Sequence, residues 1–209
     1  SLHAAGTVSV IIPALNEAAN LARLLPTLKA AAPHEIIIAD GGSTDRTREI
    51  VTELRAEFPN LRLLANPKKL QSAAVNLAAR EAGRGRRILV RCDAHAIYPA
   101  GYVMLVADSL GSRGVSSIVV PMDAAGKTGF QKANAWIVDT PLGSGGSAHR
   151  GGRKSMFVDH GHHAGFDLKT FLQVGGYDET FSHNEDAEFD TRLRQAGGDE
   201  YLALLLDPP

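Results

Sequence analysis

Residues 8–21 read VSVIIPALNEAANL and residues 36–47 read IIIADGGSTDRT. The apolar run Val8 to Ile12 ends at Pro13 and reads as a buried strand. Asn16 can cap a following helix whose apolar positions Leu21, Leu24, Leu25 and Leu28 fall on one face. Pro33 ends that helix. Glu35 to Ala39 is a second strand, Gly41-Gly42 a turn, and Asp45 opens a helix with Ile50, Val51 and Leu54 on one side. Outward from there, Leu61 to Ala65 is a third strand and Leu70 to Ala82 a third helix, stopped by Gly83. Ile88 to Val90 is a fourth strand, ending at Arg91-Cys92-Asp93. This alternation predicts right-handed crossovers and an α/β fold, a mostly parallel central sheet with flanking helices.

Further along, Tyr102 to Leu110 and Phe130 to Val138 read as helices and Ser116 to Val120 as a strand. Residues 141–152 are too glycine-rich for regular structure and read as a long loop, either a lid or a plain surface connection. Then follow Phe166 to Val174, a turn at Gly175-Gly176, a helix from Asp186 to Gln195 and a final strand. The chain of 209 residues, 44% hydrophobic, suits one domain with a sizeable core. A net charge of −1 gives no bulk attraction for nucleic acid, and Arg84, Arg86 and Arg87 read as a solvated helix end. Cys92 is the only cysteine, which excludes an intrachain disulfide or a cysteine zinc site and fits a reducing cytoplasm. No signal peptide or membrane-spanning run is present, since Tyr201 to Leu206 is far too short. With Ser1 at one end and Asp207-Pro208-Pro209 directly after a strand-like run, the expectation is the soluble part of a longer protein, anchored to a membrane through a C-terminal segment.

Three acidic motifs stand out: Asp40, Asp93 in ILVRCDAH, and Glu185-Asp186 in HNEDAEFDTRLRQAGG. The first two follow apolar runs, so parallel pairing would bring them to one sheet edge, where open α/β folds bind ligands. One acid for a nucleoside, one for a metal and one for a base would suit transfer from an activated nucleotide donor. The first strand exit lacks GxGxxG, and GxxxxGK[ST] is absent, which argues against dinucleotide and P-loop enzymes.

VSVIIPALNE followed by IIIADGGSTDRT resembles the opening of family 2 inverting glycosyltransferases, which have the GT-A fold and use nucleoside-diphosphate sugars. The resemblance implies that Pro13, Ala14, Leu15 and Glu17 line the nucleoside pocket and that Asp40 accepts from the base. A carboxylate can accept the imide N–H of uracil. With Gly41, Gly42 and Ser43 next, a turn-capping role for Asp40 stays open. In NPKKLQSAAVNLAAREAG, Lys69, Gln71 and Ser72 lie near a helix N-terminus, a place that favours anions. Lys69 and Ser72 facing the donor, or Lys69 as a solvated surface residue, both remain open.

Asp93-Ala94-His95 fills the position of the family's DxD motif, with His95 replacing the last acid. A DxH version occurs in some GT-A enzymes, and Mn²⁺ or Mg²⁺ is the implied ion, Mn²⁺ accepting imidazole more readily. RCDAHAIYP, PLGSGGSAHR, VDHGHHAGF, VGGYDE and NEDAEFDTRLRQAGG together resemble the succinoglycan-type (ExoA-like) exopolysaccharide branch and cover essentially the whole chain. Of His160, His162 and His163, the resemblance places only His163 near the site, on a strand facing the donor sugar. Glu185-Asp186 matches the ED motif, which makes Asp186 the catalytic base and Glu185 the first alternative. Glu188 and Asp190 are expected on the solvated face of that helix, paired with Arg192 or Arg194.

The expectation for residues 1–209 is therefore a single GT-A catalytic domain. It would move a hexose, by inversion and with a divalent metal, from a UDP-sugar to a lipid-linked saccharide acceptor at the cytoplasmic face of the bacterial inner membrane. A sugar-phosphate nucleotidylyltransferase, which leaves the ED helix unexplained, and a non-catalytic nucleotide-sugar-binding domain are the alternatives.

Overall fold

The strand β1 (Val8–Ala14) lies between two parallel neighbours, β2 (Glu35–Asp40) and β4 (Ile88–Arg91). Its residues can be apolar on both faces because helices cover both sides of the sheet. Val10 and Ile12 enter one core with Ile36, Ile38 and Val90, while Ile11 enters the other with Ile37, Ala39 and Leu89. The computed structural model describes residues 7–31, 33–120, 162–181, 184–198 and 200–202. The expected helix at 130–138, the glycine-rich stretch 141–152 and His160 lie outside these residues.

The remaining elements are α1 (Ala18–Ala30), α2 (Thr47–Leu54), β3 (Leu61–Ala65), α3 (Gln71–Glu81), α4 (Tyr102–Arg113), β5 (Ser117–Val120), β6 (His162–Asp167), α5 (Leu168–Gln173), α6 (Glu185–Gln195) and β7 (Glu200–Leu202). The described strands form one sheet in the order β3-β2-β1-β4-β6-β5-β7, in which β6 alone runs against its neighbours. The first four strands match the alternating pattern of the sequence. Leu21, Leu24, Leu25 and Leu28 of α1 pack on the first core with Val51 of α2 and Val103, Val106 and Leu110 of α4. Helices α3, α5 and α6 pack on the second through Val75, Phe171, Phe189 and Leu193. Strand order therefore reverses between β1 and β4, with α1 on one face and α3 on the other. Their C-terminal ends diverge into a crevice, the usual ligand position in such sheets.

Two features of β6 shape that crevice. Ser117 pairs with Phe166 and Ile118 with Gly165, but Val119 pairs with His163, so Ala164 is an extra residue in the ladder. Such a bulge re-aims the side chains that follow it. Ala164 joins the first core, and His163 falls on the same face as Phe166, 5.0 Å from its ring. Gly165 is where α4 crosses the strand closely. A Cβ there would sit 2.6 Å from Val106 Cγ1 and 3.2 Å from Leu110 Cδ1.

Gly165→Ala should therefore overpack the core and lower stability by about 1–3 kcal/mol. Urea unfolding followed by circular dichroism checks this. A midpoint equal to that of the unaltered chain would mean that α4 yields without cost.

Candidate active site

The β1–β2 end of the sheet edge is laced together by side chains from two strand exits. Ala14 pairs with Asp40 in the β1–β2 register, and the Gly41 N–H donates to Ala14 O at 2.8 Å. Asn16 does not cap α1 as its sequence position suggests. It sits at φ 56°, and its Oδ1 accepts from the N–H groups of Thr44 (2.8 Å) and Asp45 (3.2 Å). The start of α1 is instead satisfied from the loop after β2 and the start of α2. Asp45 Oδ2 accepts from the Ala18 N–H, and Thr47 Oγ1 accepts from the Glu17 N–H. Asp45 Oδ1 accepts from the Thr47 N–H as well, so one carboxylate serves the first turns of both α1 and α2.

Asp40 is 5% exposed. Its Oδ1 accepts from Ser43 Oγ (2.5 Å) and its Oδ2 from the Gly42 N–H (3.3 Å), while Arg48 Nε lies 3.1 Å from Oδ2. The turn-holding role left open by the sequence is thus present. Pro13, Ala14 and Leu15 form the β1 side of the crevice. A Cβ on Gly41 would lie 3.5 Å from Ala14 O, 3.7 Å from Lys69 Cα and 3.8 Å from Leu15 Cβ, so Leu15 and Lys69 both lie close to this turn. Lys69, at φ 58°, is solvent-exposed, with its Cε over Gly42. Ser72, in the first turn of α3, is buried, and its hydroxyl has no hydrogen-bond partner among the described residues.

Asp93 follows β4, and its N–H donates to Tyr98 Oη at 2.7 Å. His95 is largely exposed, with Nδ1 3.9 Å from Glu17 Oε1, which brings Glu17 to the same mouth. Among the described residues no three His, Cys, Asp or Glu side chains converge as a metal site. The donor set fits a hard divalent ion in one respect: a single carboxylate, Asp93, that leaves most positions to substrate phosphates and water is how Mg²⁺ is commonly held at nucleotide sites.

The far end of the crevice is a buried charge network. Arg91, the last residue of β4, is 3% exposed. Its Nη2 donates to Gln71 Oε1 at 2.5 Å, Nε lies 3.9 Å from Asp93 Oδ1, and Nη1 lies 3.8 Å from Asp186 Oδ1. Burial works against its charge, but Tyr177 and the carboxylates of Asp93, Asp186 and Glu185 outweigh it and raise its pKa. Asp186 lies in the first turn of α6 beside Glu185. Its Oδ1 accepts from Tyr177 Oη (2.8 Å) and meets His163 Nδ1 at 2.6 Å. The phenol of Tyr177 is kept neutral, chiefly by burial and then by the Asp186 charge, so it serves as a donor. Asn76 of α3 clamps the Tyr177 backbone, its Oδ1 accepting from the Tyr177 N–H and its Nδ2 donating to Tyr177 O, both at 2.8 Å.

One expectation fails here. Glu188 does pair with Arg192, but Asp190 is not on a solvated face; it is 1% exposed, and its Oδ1 lies 2.6 Å from His163 Nε2. A carboxylate four residues after Asp186 on a helix projects to the same side, so i, i+4 spacing was the available signal. Arg91, Tyr177 and Asn76 carried no assigned role in the sequence. The position of Arg91, two residues before Asp93 at a strand end, was the one hint.

Two of the carboxylates picked from the sequence, Asp93 and Asp186, therefore lie near one buried guanidinium, at 3.9 and 3.8 Å, with Asp40 held at the β1–β2 end. The profile of Glycosyl transferase family 2 matches residues 9–175. Succinoglycan biosynthesis protein ExoA of Rhizobium meliloti (strain 1021) is 48% identical over 192 residues, which are 90% of this chain and 58% of that protein. The chain thus spans well under two thirds of that relative's length. Among solved structures, a mannosyltransferase from Pyrobaculum calidifontis in complex with GDP-Man and Mn²⁺ superposes with a TM-score of 0.66 at 21% identity, over 97% of this chain and 55% of that one. GalNAc-T7 with UDP, GalNAc and Mn²⁺ gives a TM-score of 0.70 at 16% identity, over 95% and 42%. At such identities these two speak for the fold, which is of the expected GT-A type. On the match over residues 9–175, the chain belongs to glycosyl transferase family 2.

Proposed function

We propose that the chain is the catalytic domain of an inverting glycosyltransferase that moves a hexose from a UDP-sugar to a lipid-linked saccharide during exopolysaccharide synthesis. The observation that carries this reading is the bridge at Arg91, 3.8 Å from Asp186 and 3.9 Å from Asp93. It brings the proposed base and the proposed donor-side carboxylate to a single buried cation. The 48% identity to the ExoA protein supports the exopolysaccharide assignment. The nucleotide sugar and Mn²⁺ in the Pyrobaculum structure support the donor class. A place at the cytoplasmic face of the inner membrane is part of this proposal and rests on the likeness to the ExoA protein alone. Among the described residues no helix is long and apolar enough to cross a membrane.

In this reading Pro13, Ala14, Leu15 and Glu17 line the nucleoside pocket and Asp40 offers its carboxylate edge to the base. Lys69 and the first turn of α3, including Ser72, face the diphosphate. Asp93 and His95 would hold Mn²⁺ or Mg²⁺, which supplies charge neutralisation for the leaving nucleoside diphosphate. The Asp186 carboxylate takes the acceptor hydroxyl proton as that oxygen attacks the anomeric carbon and the bond to the diphosphate oxygen breaks on the opposite face. Glu185 is the alternative base. Arg91 keeps the Asp186 side chain turned to this edge.

Calorimetry of UDP binding should show tighter binding with Mn²⁺ than with EDTA, and Asp93→Ala should remove the difference. Equal affinity in both buffers would remove the metal from the site.

Asp186→Asn should leave UDP affinity within about twofold while lowering transfer by about 10²–10⁴-fold, the usual contribution of a positioned base. Near-normal transfer would move the base to another residue, with Glu185 tested next.

A further inference from the structure

We infer that His163, braced from behind by Asp190, is a positioning residue for the Asp186 carboxylate, an assignment that rests on Asp186 being the base. His163 is fully buried, and its two ring nitrogens each lie 2.6 Å from a carboxylate oxygen, Nδ1 from Asp186 and Nε2 from Asp190. Both contacts are satisfied together when both nitrogens carry protons, that is, when the ring is an imidazolium. Burial opposes that charge, but the hydrogen bonds and charges of Asp186 and Asp190 outweigh it and raise the His163 pKa. A cation fixed in this way orients Asp186 from one side as Arg91 does from the other.

Two independent features serve this one ring. The bulge at Ala164 turns His163 into the α6 face of the sheet. Asp190 places a nearly inaccessible carboxylate behind it, with Oδ2 lacking any hydrogen-bond partner among the described residues. A buried charge with an unsatisfied oxygen is unfavourable unless a counter-charge compensates it. His163 is the only cation seen at Asp190 among the described contacts, so the pair is understandable as a unit aimed at Asp186. The surroundings otherwise add little that titrates. Tyr177, from the loop after α5, is a neutral phenol 2.6 Å from Nδ1; Arg91 of β4 meets the other side of Asp186; and Phe166 and Phe189 are apolar.

The sign of the pH dependence follows. Below the raised pKa the imidazolium holds Asp186. As pH rises through it, a bare ring nitrogen faces a carboxylate and the hold is lost, so transfer should decline on the alkaline side. The same imidazolium contributes folding stability that is fully present below the ordinary imidazole pKa and is lost as pH rises through the raised value.

The test combines nitrogen-15 NMR of the histidine-labelled 209-residue chain with pH profiles of transfer, using UDP-glucose as donor probe and UDP release as readout. At neutral pH both His163 nitrogens should be protonated. Asp190→Asn should lower the ring's titration midpoint, move the alkaline limb of kcat to lower pH, and reduce kcat about tenfold or more with donor KM within about twofold. His163→Gln, which keeps hydrogen bonding without charge, should remove that limb and guards against an Asp190→Asn protein that fails to fold. A neutral His163 ring at neutral pH, or variants whose kcat and pH profile match the unaltered chain, would overturn the assignment. If Asp186→Asn kept its transfer activity, the base reading itself would fail and His163 would lose its role with it, whatever the ring's charge.

Discussion

Burying a guanidinium costs several kcal/mol unless negative charge comes to it, and around Arg91 that charge comes from two carboxylates, Asp93 at 3.9 Å and Asp186 at 3.8 Å, with the neutral Gln71 as hydrogen-bond partner. Gln71 comes from the first turn of α3, Asp93 from the exit of β4, and Asp186 from the first turn of α6. These segments are far apart in sequence and are held at one sheet edge by the same cation. Arg91 is the charge these segments share, although only its Nη2 makes a hydrogen bond among the described residues, to Gln71. The aromatic cluster beneath it, Phe166, Phe171, Tyr177 and Phe189, keeps water away, so the charges act through a less polar medium than the surface would provide.

The β1–β2 end is organised differently. Few charges are buried there, and the work is done by backbone N–H groups meeting side-chain oxygens across two loops. Asn16 bonds to the β2 loop, while Asp45 and Thr47 bond back to the start of α1. Each loop satisfies donors that the other leaves open, so the shape of one fixes the shape of the other. Lys69 and His95, by contrast, are exposed.

Much of this was readable in the sequence because parallel strands buried on both faces leave long apolar runs, and carboxylates at their ends are conspicuous. Asp40 and Asp93 were picked out that way and Asp186 through its resemblance to the ED motif at a helix start, and β1 to β4 fall close to their expected bounds. What escaped was whatever depended on neighbours distant in sequence. Asn16 looked like a helix cap because Asn favours that position, yet its partners come from residues 44 and 45. Asp190 looked solvated because its helix is rich in charge, yet His163 from β6 lies over it. That contact requires a one-residue bulge, and period-two alternation gives no sign of where a strand will break its register. The role of Tyr177 likewise depends on Asn76, about a hundred residues earlier.

The most direct measurement of the central claim is a crystal structure of the chain with UDP and Mn²⁺. The account predicts uracil beside Asp40 and Leu15, the diphosphate between Asp93 and the first turn of α3, and Asp186 facing the terminal phosphate from across Arg91. A nucleotide bound away from the β1 and β4 ends, or with its diphosphate turned from Asp93, would contradict it.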